Sequence, residues 1–117
     1  VNSIVTGYHD DEVVWTSPKN DEVCNFSFDH CVLRTEKMNT EDSLKFTNVV
    51  YENLKDTTQF GEKHFRLFDT DNLKYDFRLR KESAAIGVAD TATSFPTDRR
   101  GVLRDDKPDA GCYEFDE

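Results

Sequence analysis

The sequence predicts an all-β chain whose short strands stack coil upon coil as a parallel β-helix, and three observations carry that prediction. Apolar residues recur in short runs at strand spacing, and no segment holds a convincing helical period. A four-residue template appears three times, as Asn2-Ser3-Ile4-Val5, His30-Cys31-Val32-Leu33 and Asn48-Val49-Val50-Tyr51. The end of the chain reads as a closure: a strand from Tyr75 to Leu79 runs into Ser83-Ala84-Ala85 and Gly87, and Cys112 to Phe115 supplies a late partner strand.

Taken in order, Asn2 to Thr6 is a strand that turns at Gly7, and Val13-Val14-Trp15 is a second short strand. Pro18 and Asn20-Asp21 follow as turn residues. Phe26 and Phe28 share a face, and beyond the polar Asp29-His30 break so do Cys31 and Leu33. With no Asn-Gly or Asp-Gly between them, these are two strands joined by a corner, not a hairpin. Residues 35–45 are a charged excursion, and Phe46 to Glu52 returns to strand character. A helix over 41–54 is opposed by Thr47, Val49, Val50 and Tyr51, which favour strand. Residues 55–70 read as a long connection pinned to the core by Phe60, Phe65, Leu67 and Phe68. Tyr75, Phe77 and Leu79 then alternate with Asp76, Arg78 and Arg80.

The template copies begin 28 and then 18 residues apart. Repeats on the order of 20 to 30 residues are the mark of a solenoid, in which each unit buries its face against the next. Each copy opens on a corner residue. Asn suits that position because it tolerates left-handed backbone angles and can hydrogen-bond along the stack. His30 departs from the pattern.

With 117 residues the chain is one domain or a piece of one, and its 36% apolar content allows a modest core. A net charge of −9 argues against nucleic acid and against an anionic polysaccharide without a bridging cation. No apolar run is long enough to span a membrane. Val1-Asn2-Ser3 has no signal-peptide pattern, and the start inside a strand-like run reads as a piece cut from a longer precursor. Cys24, Cys31 and Cys112 form no zinc spacing. Buried thiols are one reading of them and a Cys24–Cys31 bridge the other.

The Tyr75-Asp76-Phe77-Arg78-Leu79 strand, and Ser83-Ala84-Ala85-Ile86-Gly87 close to a Ser-Pro-Ala-Ile-Gly pattern, carry a family resemblance. Thr97-Asp98-Arg99-Arg100-Gly101, Arg104 and Asp109-Ala110-Gly111-Cys112-Tyr113-Glu114-Phe115 extend it. These residues resemble the C-terminal end of right-handed parallel β-helix proteins, secreted or surface proteins of Bacteroidetes type with a polysaccharide-lyase-like fold. Ala84, Ala110 and Cys112 depart from the pattern conservatively. The resemblance implies the last few coils over residues 1–74, with loop excursions, and a C-terminal cap of the same domain over 75–117. It also implies secretion or cell-surface display, with the signal peptide outside this fragment. The implied partners are upstream coils of the same precursor and a polysaccharide. The open first strand adds edge-to-edge self-association of the fragment. Asp98 and Asp109 would fix the closing loops through backbone N–H groups or through Arg100 and Arg104.

Two acidic groups, Asp10-Asp11-Glu12 and Asp105-Asp106 with Asp109, are the calcium candidates, since hard oxygens suit that ion. Their bland reading is solvated surface charge, and no other cofactor is implied. Lys74, Arg78 and Arg80 are eligible by position as a lyase base but belong to no catalytic motif, and a soluble strand edge explains them as well. His9, His30 and His64 are too scattered for a metal set or triad, and Trp15 is core or sugar platform. No catalytic residue is assigned. The expected function is therefore a non-catalytic structural and interaction module associated with carbohydrate. The alternative is the terminal part of a polysaccharide lyase or glycoside hydrolase whose active site lies on upstream coils, and a compact β-sandwich is the rival fold.

Overall fold

The computed structural model describes residues 1–14, 26–37, 45–58 and 61–116. Among the described residues there are seven strands: β1 (Ile4–Val5), β2 (Phe28–Asp29), β3 (Val32–Leu33), β4 (Phe46–Thr47), β5 (Val50–Tyr51), β6 (Phe65–Asp69) and β7 (Lys74–Leu79). A 3-10 turn, Gly61–His64, leads into β6. Trp15, Cys24, Phe60 and the excursion's residues 38–44 lie outside the described residues. Val13 and Val14 are in no strand.

β1, β3 and β5 form one parallel sheet in that order, with Ile4 opposite Val32 and Val32 opposite Val50. The three template copies are thus side by side. β2 and β4 form a second parallel pair, which stacks Phe28 on Phe46 with ring centres 5.7 Å apart. The chain passes from β2 to β3 through His30 and from β4 to β5 through Asn48. Asn2, His30 and Asn48 take φ of 52°, 52° and 51°, the left-handed region that lets a strand turn within one residue.

The predicted right-handed parallel β-helix is not what the chain forms. Among the described residues the sheets hold three, two and two strands, the parallel strands are only two residues long, and no sheet closes or continues as a solenoid. After β5 the chain leaves the stack and folds back on itself, as the antiparallel hairpin β6–β7. A tight turn joins the two strands of the hairpin. Asp69 accepts the N–H groups of Asp71 and Asn72 at 3.1 Å each, and Leu73 turns the chain at φ 53°. Residues 55–70 are therefore not a plain connection, and Cys112 to Phe115 is not a strand. The architecture is a small all-β assembly of short sheets.

The core forms where the tail packs under the parallel sheet. Val32, Leu79, Ala85 and Ala110 make one buried cluster, with Ile4, Val50, Phe65 and Phe115 packed around it. Ala85 and Ala110 are small because their backbones meet, Ala110 N–H donating to Ala85 C=O at 3.0 Å. Asp109, itself buried, accepts from Gly87 and Phe115 N–H at 2.7 and 2.6 Å. Asp98 accepts from the N–H groups of Arg100, Val102 and Glu114. Burial pushes the Asp98 carboxyl up, but those bonds and the Arg100 guanidinium outweigh it and hold it below the usual carboxylate range. The irregular tail is thus held by carboxylates that take the place of strand ladders.

Candidate functional site

Among the described residues β1 has one strand neighbour, β3, and its other side is a sheet edge. Ser3 and Val5 C=O accept from Val32 and Arg34 N–H, so alternation along the ladder turns the backbone groups of Ile4 away from β3. The tail closes one end of this edge, where Gly111 N–H donates to Asn2 C=O at 2.9 Å. Gly111 sits at φ 99°, and a Cβ there would come within 3.2 Å of Ile4 Cδ1. At the other end Gly61 N–H donates to Thr6 Oγ1 at 2.8 Å. Between these two closures the edge is open around Ile4.

The β6–β7 hairpin supplies an aromatic wall beside that opening. Tyr75 and Phe77 stack at 5.9 Å, Phe65 meets Phe77 edge-on at 5.3 Å, and Phe68 meets Tyr75 at 5.1 Å. Tyr75 and Phe77 remain 42% and 44% exposed, an adjacent pair of exposed aromatic faces. Two clefts of about 290 and 230 Å³ share Ile4, Phe65 and Phe77. The larger runs toward Asn2, Gly111 and the exposed thiol of Cys112, the smaller toward Tyr8 and Glu62. At that rim Tyr8 Oη donates to Glu62 Oε2 at 2.9 Å, and Glu62 raises the phenol's pKa through this bond.

A second constellation has the membership of a catalytic triad without its access. His64 Nδ1 lies 2.8 Å from Ser83 Oγ, and His64 Nε2 lies 2.6 Å from Glu52 Oε1. All three are buried, and neither cleft is lined by His64 or Ser83. A nucleophile must reach a reacting atom. This group instead ties segments together: Glu52 also accepts from Thr6 and Arg34, and Ala85 N–H donates to Ser83 Oγ.

The calcium candidates are placed singly, each with protein partners or in solvent. Asp10 accepts from Arg34 Nη2 at 3.2 Å, and Asp11 from Thr35 Oγ1. Asp105 accepts Lys107 N–H at 2.8 Å, Asp106 is exposed, and Asp109 is the buried tail carboxylate already described. Among the described residues these five do not converge on one point. Arg78 is held by Asp76 through bonds of 2.6 to 3.0 Å, and Lys74 is exposed at the start of β7. Cys31 is a buried free thiol, and Cys24 lies outside the described residues. The open first strand is legible in the sequence, where it points to self-association, but the clefts beside it are not, because the larger one draws residues from four separate parts of the chain. His9, His30 and His64 are too scattered to meet one another, while His64 is met by Glu52, and His30 by its neighbour Asp29 with Asp90 close by.

Comparison with protein-family models, with curated proteins and with solved structures found no match. The family resemblance rests on the motifs that carry it.

Proposed function

We propose that this chain is an interaction module that captures a short extended peptide segment at the open edge of β1, and that it does so without catalysis of its own. The observation that carries this reading is the meeting of an unpaired strand edge at Ile4 with two clefts walled by Phe65 and Phe77. Strand addition draws affinity from main-chain hydrogen bonds and specificity from pockets for alternate side chains. The clefts on the two sides of Ile4 are such pockets.

Charge selects the occupant. The protein carries −9, and Glu62 stands on the cleft rim with Glu12 folded over the neighbouring Gly7. A second copy would bring the same charge to the contact, whereas a segment alternating apolar and basic residues meets both the apolar walls and the acidic rim. An oligosaccharide is the weaker fit, since Tyr75 and Phe77 stack on each other and Phe65 packs against Phe77.

The test is a titration with an alternating Val/Lys hexapeptide, followed by fluorescence anisotropy of a label on the peptide. Saturable binding that Phe77→Ala weakens about thirtyfold, the size of a central contact residue's contribution, supports the reading. Cys112→Trp, which fills the larger cleft from its rim, should block binding with the fold intact. Binding that survives both substitutions, or no binding, overturns it.

A further inference from the structure

We propose that Asp29, His30 and Asp90 form a binding site for a divalent first-row transition metal ion such as zinc or cobalt. One ligand atom from each of these side chains lies within 4.8 Å of the other two, a spacing that one ion can bridge. The site shares no ligand residue with the peptide-binding edge, which it adjoins through Asn2.

The residues come from two distant parts of the chain, the Asp29-His30 corner and the Asp90 loop, and Asn2 fastens these together. Its N–H donates to Asp29 C=O at 3.0 Å, while its Oδ1 accepts Asp90 N–H at 2.9 Å. Its Nδ2 donates to Thr93 and Ser94 at 3.0 and 3.1 Å, which fixes the rest of the Asp90 loop. On the opposite side His30 N–H donates to Thr47 C=O at 2.9 Å. The His30 ring and the Asp29 carboxylate already hold one another, with Nδ1 and Oδ1 2.6 Å apart. All three side chains are half-buried.

His30 is the member of the corner column that the stack itself does not explain. Asn2 and Asn48 occupy the equivalent corners with nearly the same φ, so Asn meets the backbone requirement there. The imidazole adds a metal-ligating nitrogen at the corner where two carboxylates converge. A shared cation would offset the repulsion between two carboxylates this close in a protein of charge −9. One nitrogen and two oxygens suit zinc, cobalt or manganese, whereas calcium prefers a cage of six to eight oxygens. Three protein ligands leave at least one position for solvent or a further ligand.

The experiment titrates the whole chain with Co(II), read by its visible absorption bands, and with Zn(II) by calorimetry, alongside His30→Asn and Asp90→Asn. The first variant restores the residue found at the other two corners, and the second keeps the shape of Asp90. One saturable site with nitrogen–oxygen bands is expected, weakened about tenfold or more by each substitution with unchanged far-ultraviolet dichroism. Calcium should fail to displace the cobalt. Absence of saturable binding, charge-transfer bands of a thiolate ligand, ready displacement by calcium, or affinity that survives both variants overturns the proposal. Should one variant fail to fold, the other decides between these outcomes.

Discussion

Glu52 Oε1 lies 2.6 Å from His64 Nε2, and neither side chain reaches solvent. The same carboxylate accepts from Thr6 Oγ1 at 2.6 Å and from Arg34 Nη1 at 3.2 Å. Thr6, Arg34 and Glu52 are the residues that follow β1, β3 and β5, so the column just past the template copies is joined by one anion. His64 passes the connection on to Ser83 and thus to the tail. This network stitches the parallel sheet to the part of the chain that packs beneath it.

Glu52→Gln should destabilise the protein by about 3 kcal/mol, because it leaves Arg34 and His64 buried around a neutral amide. Urea denaturation at neutral pH measures the loss. The substitution keeps the side-chain shape, so a smaller effect would mean that the network contributes little.

Acid should act through the same carboxylate. Burial pushes the Glu52 carboxyl up, but hydrogen bonds from His64, Thr6 and Arg34 outweigh burial and hold it below the usual carboxylate range. The folded protein then binds fewer protons than the unfolded chain in the window between the two values. The stabilisation is present above the ordinary carboxylate range and is lost as pH falls through the lower folded value. Chemical denaturation at a series of acidic pH values should show a shallower fall in stability for Glu52→Gln than for the wild type.

Asp76 offers a second titration on the hairpin. Arg78 donates to both of its carboxylate oxygens, and these bonds pull its pKa down to about 2. Carbon-detected NMR titration should find that value, and Arg78→Ala should return Asp76 toward the ordinary range. An unshifted Asp76 in the wild type would contradict the pairing.

Gly111→Ala tests how closely the tail meets β1. The left-handed backbone at φ 99° and the 3.2 Å approach to Ile4 Cδ1 both oppose a methyl group. The expected loss is about 1 to 3 kcal/mol, measured by thermal or urea unfolding. A neutral substitution would show that the tail does not press on Ile4.

How much of this was legible in the sequence follows from the range of each interaction. The template in Asn2, His30 and Asn48 picks out the residues that pair, because corner chemistry and the strand residue after it are local. How many coils follow is not local. The hairpin was hidden because β6 is irregular, with a register shift between Phe65 and Leu67, and because its turn uses Leu73 at positive φ where glycine is the usual signal. The chain end reads as a closing strand at Cys112–Phe115, yet Asp98, Asp109 and Glu114 hold that segment in loops. The Asp29–His30–Asp90 group and the Glu52–His64–Ser83 network each join residues far apart in the chain. Nothing in their local sequence marks them except the odd histidine in the corner column.

The measurement closest to the central claim is the amide spectrum of isotope-labelled protein titrated with the Val/Lys hexapeptide. The account predicts that the Ile4 amide shifts and exchanges with solvent more slowly in the complex, together with shifts at Phe65, Phe77 and Gly111. Shifts that avoid Ile4 and gather elsewhere on the acidic surface, or none at all, would contradict it.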